Sequence, residues 1–118
     1  MKSPILLVSA AVLGLSLFSH PIAMGDPLNL QLSIRSDEKA GAARVLRAKQ
    51  GDQVVIEWTT DKPVVVHIHP YDIEQKVAPD APARTEFTAK ISGRFPIEAH
   101  FASQTKDKVV AYLEVLPR

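Results

Sequence analysis

Three histidines and one glutamate stand out for chemistry. His67 and His69 lie one residue apart in "VVVHIHPYDIE" (64–74), and Glu98 and His100 in "GRFPIEAHF" (93–101). In an extended strand, residues two apart project from the same face, so each pair presents its two side chains together. A neutral imidazole is a good ligand for borderline metals, and a carboxylate can join it. Three imidazoles with a carboxylate suit Cu(II), with Zn(II) as the alternative. The chain has no cysteine, and its two methionines, Met1 and Met24, both fall in the leader described below. Without thiolate or thioether, tight Cu(I) binding is not expected. Protons compete for the same nitrogens, so any such binding is pH-dependent. Taken alone, a His-x-His on a strand also reads as a solvated or hydrogen-bonded pair. Glu98 reads equally as an exposed glutamate facing a lysine.

The elements around these residues follow a period of two. "LNLQLSI" sets Leu28, Leu30, Leu32 and Ile34 on one face, and "QVVIEW" does the same with Val54, Ile56 and Trp58. In "PVVVHIH" the apolar set Val64, Val66 and Ile68 stands opposite the histidines. In "GRFPIEAHF" Phe95, Ile97, Ala99 and Phe101 stand opposite Glu98 and His100. "TEFTA" is a short strand after the proline-rich "APDAPAR", and "VVAYLEVLP" sets Val109, Ala111, Leu113 and Val115 inward. Gly51-Asp52 and Asp61-Lys62 mark turns. Tyr71 and Asp72 read as strand-end residues, with Asp72 also able to orient an imidazole. About seven short strands separated by turn signals indicate an all-β, antiparallel β-sandwich. Only "DEKAGAARVLRAK" offers a helical alternative, weakened by Gly41.

The chain has 118 residues, room for one small domain. Its first 25 residues have a short cationic start (Met1, Lys2), an apolar run from Ile5 to Phe18 and a small-residue site at Ala23 and Gly25. That run is shorter than the roughly 20 residues a spanning helix needs, which describes a cleaved signal peptide. Residues 26–118 would then form the domain, periplasmic or secreted, with no membrane span after cleavage. Cleavage after Ser19 would instead expose His20 as an N-terminal copper chelator. With no cysteine there is neither a lipidation site nor a disulfide, so the core must hold unaided. Lys and Arg number 14 against 13 Asp and Glu. The balance and the lack of a basic cluster argue against nucleic acid as a partner.

Together the segments resemble the cupredoxins. "VLRAKQGDQVVIEW" is similar to the early strand pair of that family, and "PVVVHIHPYDIE" to the strand that carries its first copper-ligating histidine. "GRFPIEAHF" with "VVAYLEVLP" resembles the last two strands, which bracket the metal loop. The resemblance runs from about Leu30 to Pro117 and implies a Greek-key sandwich. It places the first histidine at His69, followed by Tyr71 and Ile73, and the copper-ligating cysteine at Ala99. His67 lies outside the pattern. A type 1 blue copper centre is therefore excluded.

The sequence thus supports a periplasmic protein that binds a metal ion through His67, His69, His100 and Glu98, for storage, buffering or delivery to a protein partner. A metal-free interaction module of the same fold is the alternative. Catalysis is unmotivated, because no Ser-His-Asp set, carboxylate pair or nucleophilic cysteine is present.

Overall fold

The computed structural model describes residues 2–5, 11, 14, 16, 19, 25–39 and 44–118. Most of residues 1–25, the segment read above as a leader, lie outside the described residues, His20 and Met24 among them. Among the described residues eight strands follow in order: β1 (Leu28–Ile34), β2 (Arg44–Lys49), β3 (Gln53–Thr60), β4 (Val64–Ile68), β5 (Ile73–Val77), β6 (Ala83–Thr88), β7 (Gly93–Phe101) and β8 (Lys108–Leu116). The segment with a helical alternative ends in β2, while Ala40 to Ala43 lie outside the described residues.

The strands form two sheets, one of order β1-β3-β6 and one of order β2-β8-β7-β4-β5. The antiparallel expectation holds for four pairings and fails for two. β1 lies parallel to β3 and β2 parallel to β8, while β3·β6, β4·β5, β4·β7 and β7·β8 are antiparallel. The parallel pairs join strands that are not consecutive in the chain. A tight hairpin enforces antiparallel pairing only between neighbours, and the crossovers between sheets leave these two pairs free of it.

Alternation drives the packing. Leu32, Ile34, Val54, Ile56, Trp58 and Phe87 of the smaller sheet meet Val66, Ile68, Ile97, Ala99, Phe101 and Leu113 of the larger one, all buried. Burying a large aliphatic side chain contributes roughly 1.5–3 kcal/mol, so the shared interior is the main source of stability. One polar chain crosses it. Trp58 Nε1–H donates to Thr85 Oγ1 at 2.9 Å, and Thr85 Oγ1–H donates to Gln75 Oε1 at 3.2 Å, so the indole N–H is satisfied without water.

Two details depart from the expected pattern. β5 is a strand in its own right, with Gln75 and Val77 directed inward. In β8 the inward residue is Val110, 2% exposed, rather than Val109. A bulge accounts for this: Ile97 pairs with Ala111 and Glu98 with Val109, leaving Val110 as the extra residue. The β2–β3 turn needs its glycine, since Gly51 has φ of 92°. Asp52 closes that turn by accepting the Lys49 N–H at 2.9 Å.

Candidate metal centre

The candidate side chains sit on the outer face of the five-stranded sheet, where β4 lies between β5 and β7. Because Val64, Val66 and Ile68 fill the interior, parity forces Val65 and His67 outward. The register puts His67 directly opposite Glu74 of β5 and directly opposite Glu98 of β7. One imidazole is thus flanked by two carboxylates, with directly opposed Cβ atoms about 5 Å apart. His100 pairs with Val65, one same-face step along the ladder. A hollow of about 260 Å³ opens here, lined by Val65, His67, Glu74, Glu98, His100 and Asp107.

Each imidazole faces a carboxylate, but not through the same nitrogen. His69 Nε2 lies 3.3 Å from Glu98 Oε2. His67 Nε2 lies 3.5 Å from Asp72 Oδ1, too far for a good hydrogen bond. It is buried and has no hydrogen-bond partner, although the His67 side chain as a whole is 28% exposed. His100 uses its other nitrogen, with Nδ1 2.7 Å from Asp107 Oδ1. Asp72 reaches His67 from the β4–β5 connection, with φ of 53°, a left-handed conformation that aspartate tolerates better than most residues.

The structure therefore gathers His67, His69 and Glu98. The imidazole rings of His67 and His69 lie 3.9 Å apart, and Glu98 closes on His69. His100 lines the same hollow but turns to Asp107. Among the described residues, no three histidine, aspartate or glutamate side chains stand close enough together to hold a metal ion as they are. His67 Nε2, without a hydrogen-bond partner, nevertheless stands beside a second imidazole and a carboxylate, a donor set suited to Cu(II) or Zn(II).

The ladder also corrects the ligand placement that the family resemblance implied. β7 ends at Phe101, opposite Val64, so residues 102–107, which join β7 to β8, adjoin the start of β4. His69 follows the other end of β4, beyond the Ile68–Ile97 pair. At about 3.3 Å per residue, five residues of strand put roughly 16 Å between His69 and that loop. Ala99 is fully buried in the core opposite Val66. His69 and the β7–β8 loop thus cannot share one ion in the way the family pattern implied.

Comparison with known proteins bears on the fold. No protein-family description matches the sequence, and no curated protein matches it. Among solved structures the chain is similar to a blue copper oxidase from Nitrosomonas europaea, with TM-score 0.59, 17% identity and 79% of this chain covered. It is also similar to a copper nitrite reductase from the same organism (TM-score 0.59, 15% identity, 79% covered). A third is a multi-copper oxidase from Pseudomonas thermotolerans (TM-score 0.57, 19% identity, 79% covered). The chain spans 40%, 42% and 31% of those proteins respectively. The fold is a cupredoxin-like all-β sandwich.

Two residues of the hollow, Glu74 and Asp107, escape a reading of the sequence. Glu74 follows from the hairpin register once β5 is known as a strand, because pairing Ile68 with Ile73 sets Glu74 opposite His67. Asp107 lies in the connection before β8 and carries no sequence signal of its own.

Proposed function

We propose that the chain is a metal-binding protein of the periplasm that holds Cu(II) in a non-blue, histidine-dependent site and stores, buffers or delivers the ion to a periplasmic protein partner. It is read as a binder rather than an enzyme. His67 and His69 supply the central nitrogens, Glu98 a carboxylate, and His100 a further nitrogen across the hollow. The observation that carries this reading is the buried His67 Nε2 without a hydrogen-bond partner, 3.5 Å from the nearest carboxylate oxygen. Leaving such an atom dry and unpaired costs about 1–3 kcal/mol, and a bound cation removes that cost. A third donor needs only a side-chain rotation, because Glu74 and Glu98 both stand opposite His67. Cu(II) is preferred to Zn(II) because imidazole and carboxylate donors follow the usual affinity order for divalent metals, in which copper stands highest.

No helix among the described residues is long and apolar enough to cross a membrane. The periplasmic assignment rests on the leader pattern of residues 1–25. Metal analysis of protein purified from its native compartment, followed by Cu(II) and Zn(II) titration, tests the reading. Near-stoichiometric metal, lost in His67→Ala and weakened in His100→Ala, is the expected result. Binding no tighter than that of an unrelated protein with as many histidines overturns it.

A further inference from the structure

The three imidazoles differ in which nitrogen meets a carboxylate. His67 and His69 approach Asp72 and Glu98 through Nε2, at 3.5 and 3.3 Å. His100 alone uses Nδ1, at 2.7 Å from Asp107 Oδ1. An ionised carboxylate can only accept, so the hydrogen between these atoms belongs to His100 Nδ1. In the neutral ring Nε2 is then the bare nitrogen. Without such a partner, neutral imidazole is not confined to that tautomer.

The geometry points to Asp107 as a positioning residue, one that locks neutral His100 in the Nδ1–H form so that Nε2 is available as a lone-pair donor on the metal hollow. This rests on the proposed metal site. Several features of the pair fit such a role. His100 and Asp107 both line the hollow, and Asp107 lies in the loop before β8. The distance is that of a strong, charge-assisted hydrogen bond. Both side chains are about half exposed, at 55% and 54%, so the bond does little for folding, as is usual for solvent-exposed pairs. A carboxylate hydrogen-bonded to the far nitrogen of a metal-bound imidazole fixes the ring and raises its basicity, and its loss typically costs about 10–100-fold in affinity.

The test combines two readouts on the full chain with the leader removed. Long-range proton–nitrogen correlation on metal-free, histidine-labelled protein at about pH 8, where imidazole is ordinarily neutral, reads the tautomer of His100 directly. The Nδ1–H form is expected in the wild type, with a shift toward the Nε2–H form in Asp107→Ala. Cu(II) titration of the same samples should show affinity falling about 10-fold or more in Asp107→Ala and recovering in Asp107→Glu. The same spectra confirm that the variants fold. A wild type that binds Cu(II), with Asp107→Ala unchanged in tautomer and affinity, overturns the role of Asp107 and leaves the metal site standing. A wild type that binds no metal overturns the metal site, and the tautomer measurement then decides separately whether Asp107 sets the state of His100.

Discussion

The rings of His67 and His69 meet edge to face, their centroids 3.9 Å apart and their planes inclined at 65°. Two protonated imidazoles at that distance would repel, whereas one cation shared by two neutral rings would not. The buried Nε2 of His67 sharpens this, since it makes no hydrogen bond in its present surroundings. Replacing His67 with leucine should therefore abolish Cu(II) binding while leaving the metal-free protein as stable or about 1 kcal/mol more stable. Copper titration and urea unfolding of the same variant check both halves. A loss of 2 kcal/mol or more in the metal-free protein would mark His67 as structural.

Copper-loaded protein should be pale. The intense blue band of a type 1 centre comes from a thiolate, and the chain has no cysteine. Restoring one at the position the family resemblance indicates should not help. Ala99 is fully buried between the sheets, while His67 and Glu98 face outward on the other side of the ladder. Ala99→Cys should keep the pale spectrum and lose about 1–3 kcal/mol through overpacking. Visible absorption and paramagnetic resonance of the Cu(II) form decide it; an intense blue band would contradict the assigned geometry.

Thr85 is the buried link between Trp58 and Gln75. Thr85→Val keeps the shape but strands the indole N–H, which is itself fully buried. A loss of about 1–3 kcal/mol is expected, with most of it recovered in Thr85→Ser, as measured by denaturant midpoint. Copper affinity should not change, because this chain lies on the inner side of the sheet.

Asp61 ties the end of β1 to the β3–β4 turn. It accepts the Ser36 N–H at 2.9 Å and the Ser36 hydroxyl at 3.0 Å. The Ser36 backbone N–H, chiefly, holds its carboxyl below the ordinary value of 3.8. A carboxyl lowered in the folded state adds stability that is fully present above its unfolded value and is lost as pH falls through the folded one. Asp61→Asn should therefore be less stable than wild type by a constant amount above about pH 5, with the gap closing below about pH 4. Unfolding of both proteins across that range tests the sign; a gap that widens in acid would refute it.

The legible parts of this fold are those where local alternation and tertiary burial agree. β1 and β7 carry unbroken period-two patterns, and each buries the face its pattern names, while β3 buries the named face (Val54, Ile56, Trp58) and Val55 on the other as well. β5 was hidden because "IEQKV" turns a glutamine inward, where Thr85 satisfies it. No pattern of apolar residues can announce a buried polar link. Val110 replaced Val109 because a bulge on β8 depends on the partner strand. The site was half legible. Parity placed His67, Glu98 and His100 on the outer face, but which end of β4 meets which end of β7 is a property of the ladder. That ladder separates His69 from the β7–β8 loop, adds Glu74 and brings in Asp107.

The position of β8 has a consequence for how the molecule assembles. Although it is the last strand in the chain, it lies inside the larger sheet, between β2 and β7. Arg44 of β2 waits for Ala111, a pairing between distant parts of the sequence that slows folding. A nascent chain halted before Lys108 would leave β2 without a partner and one side of β7 open, two unprotected edges in place of a continuous seam. Until those nine residues dock, the larger sheet has not closed.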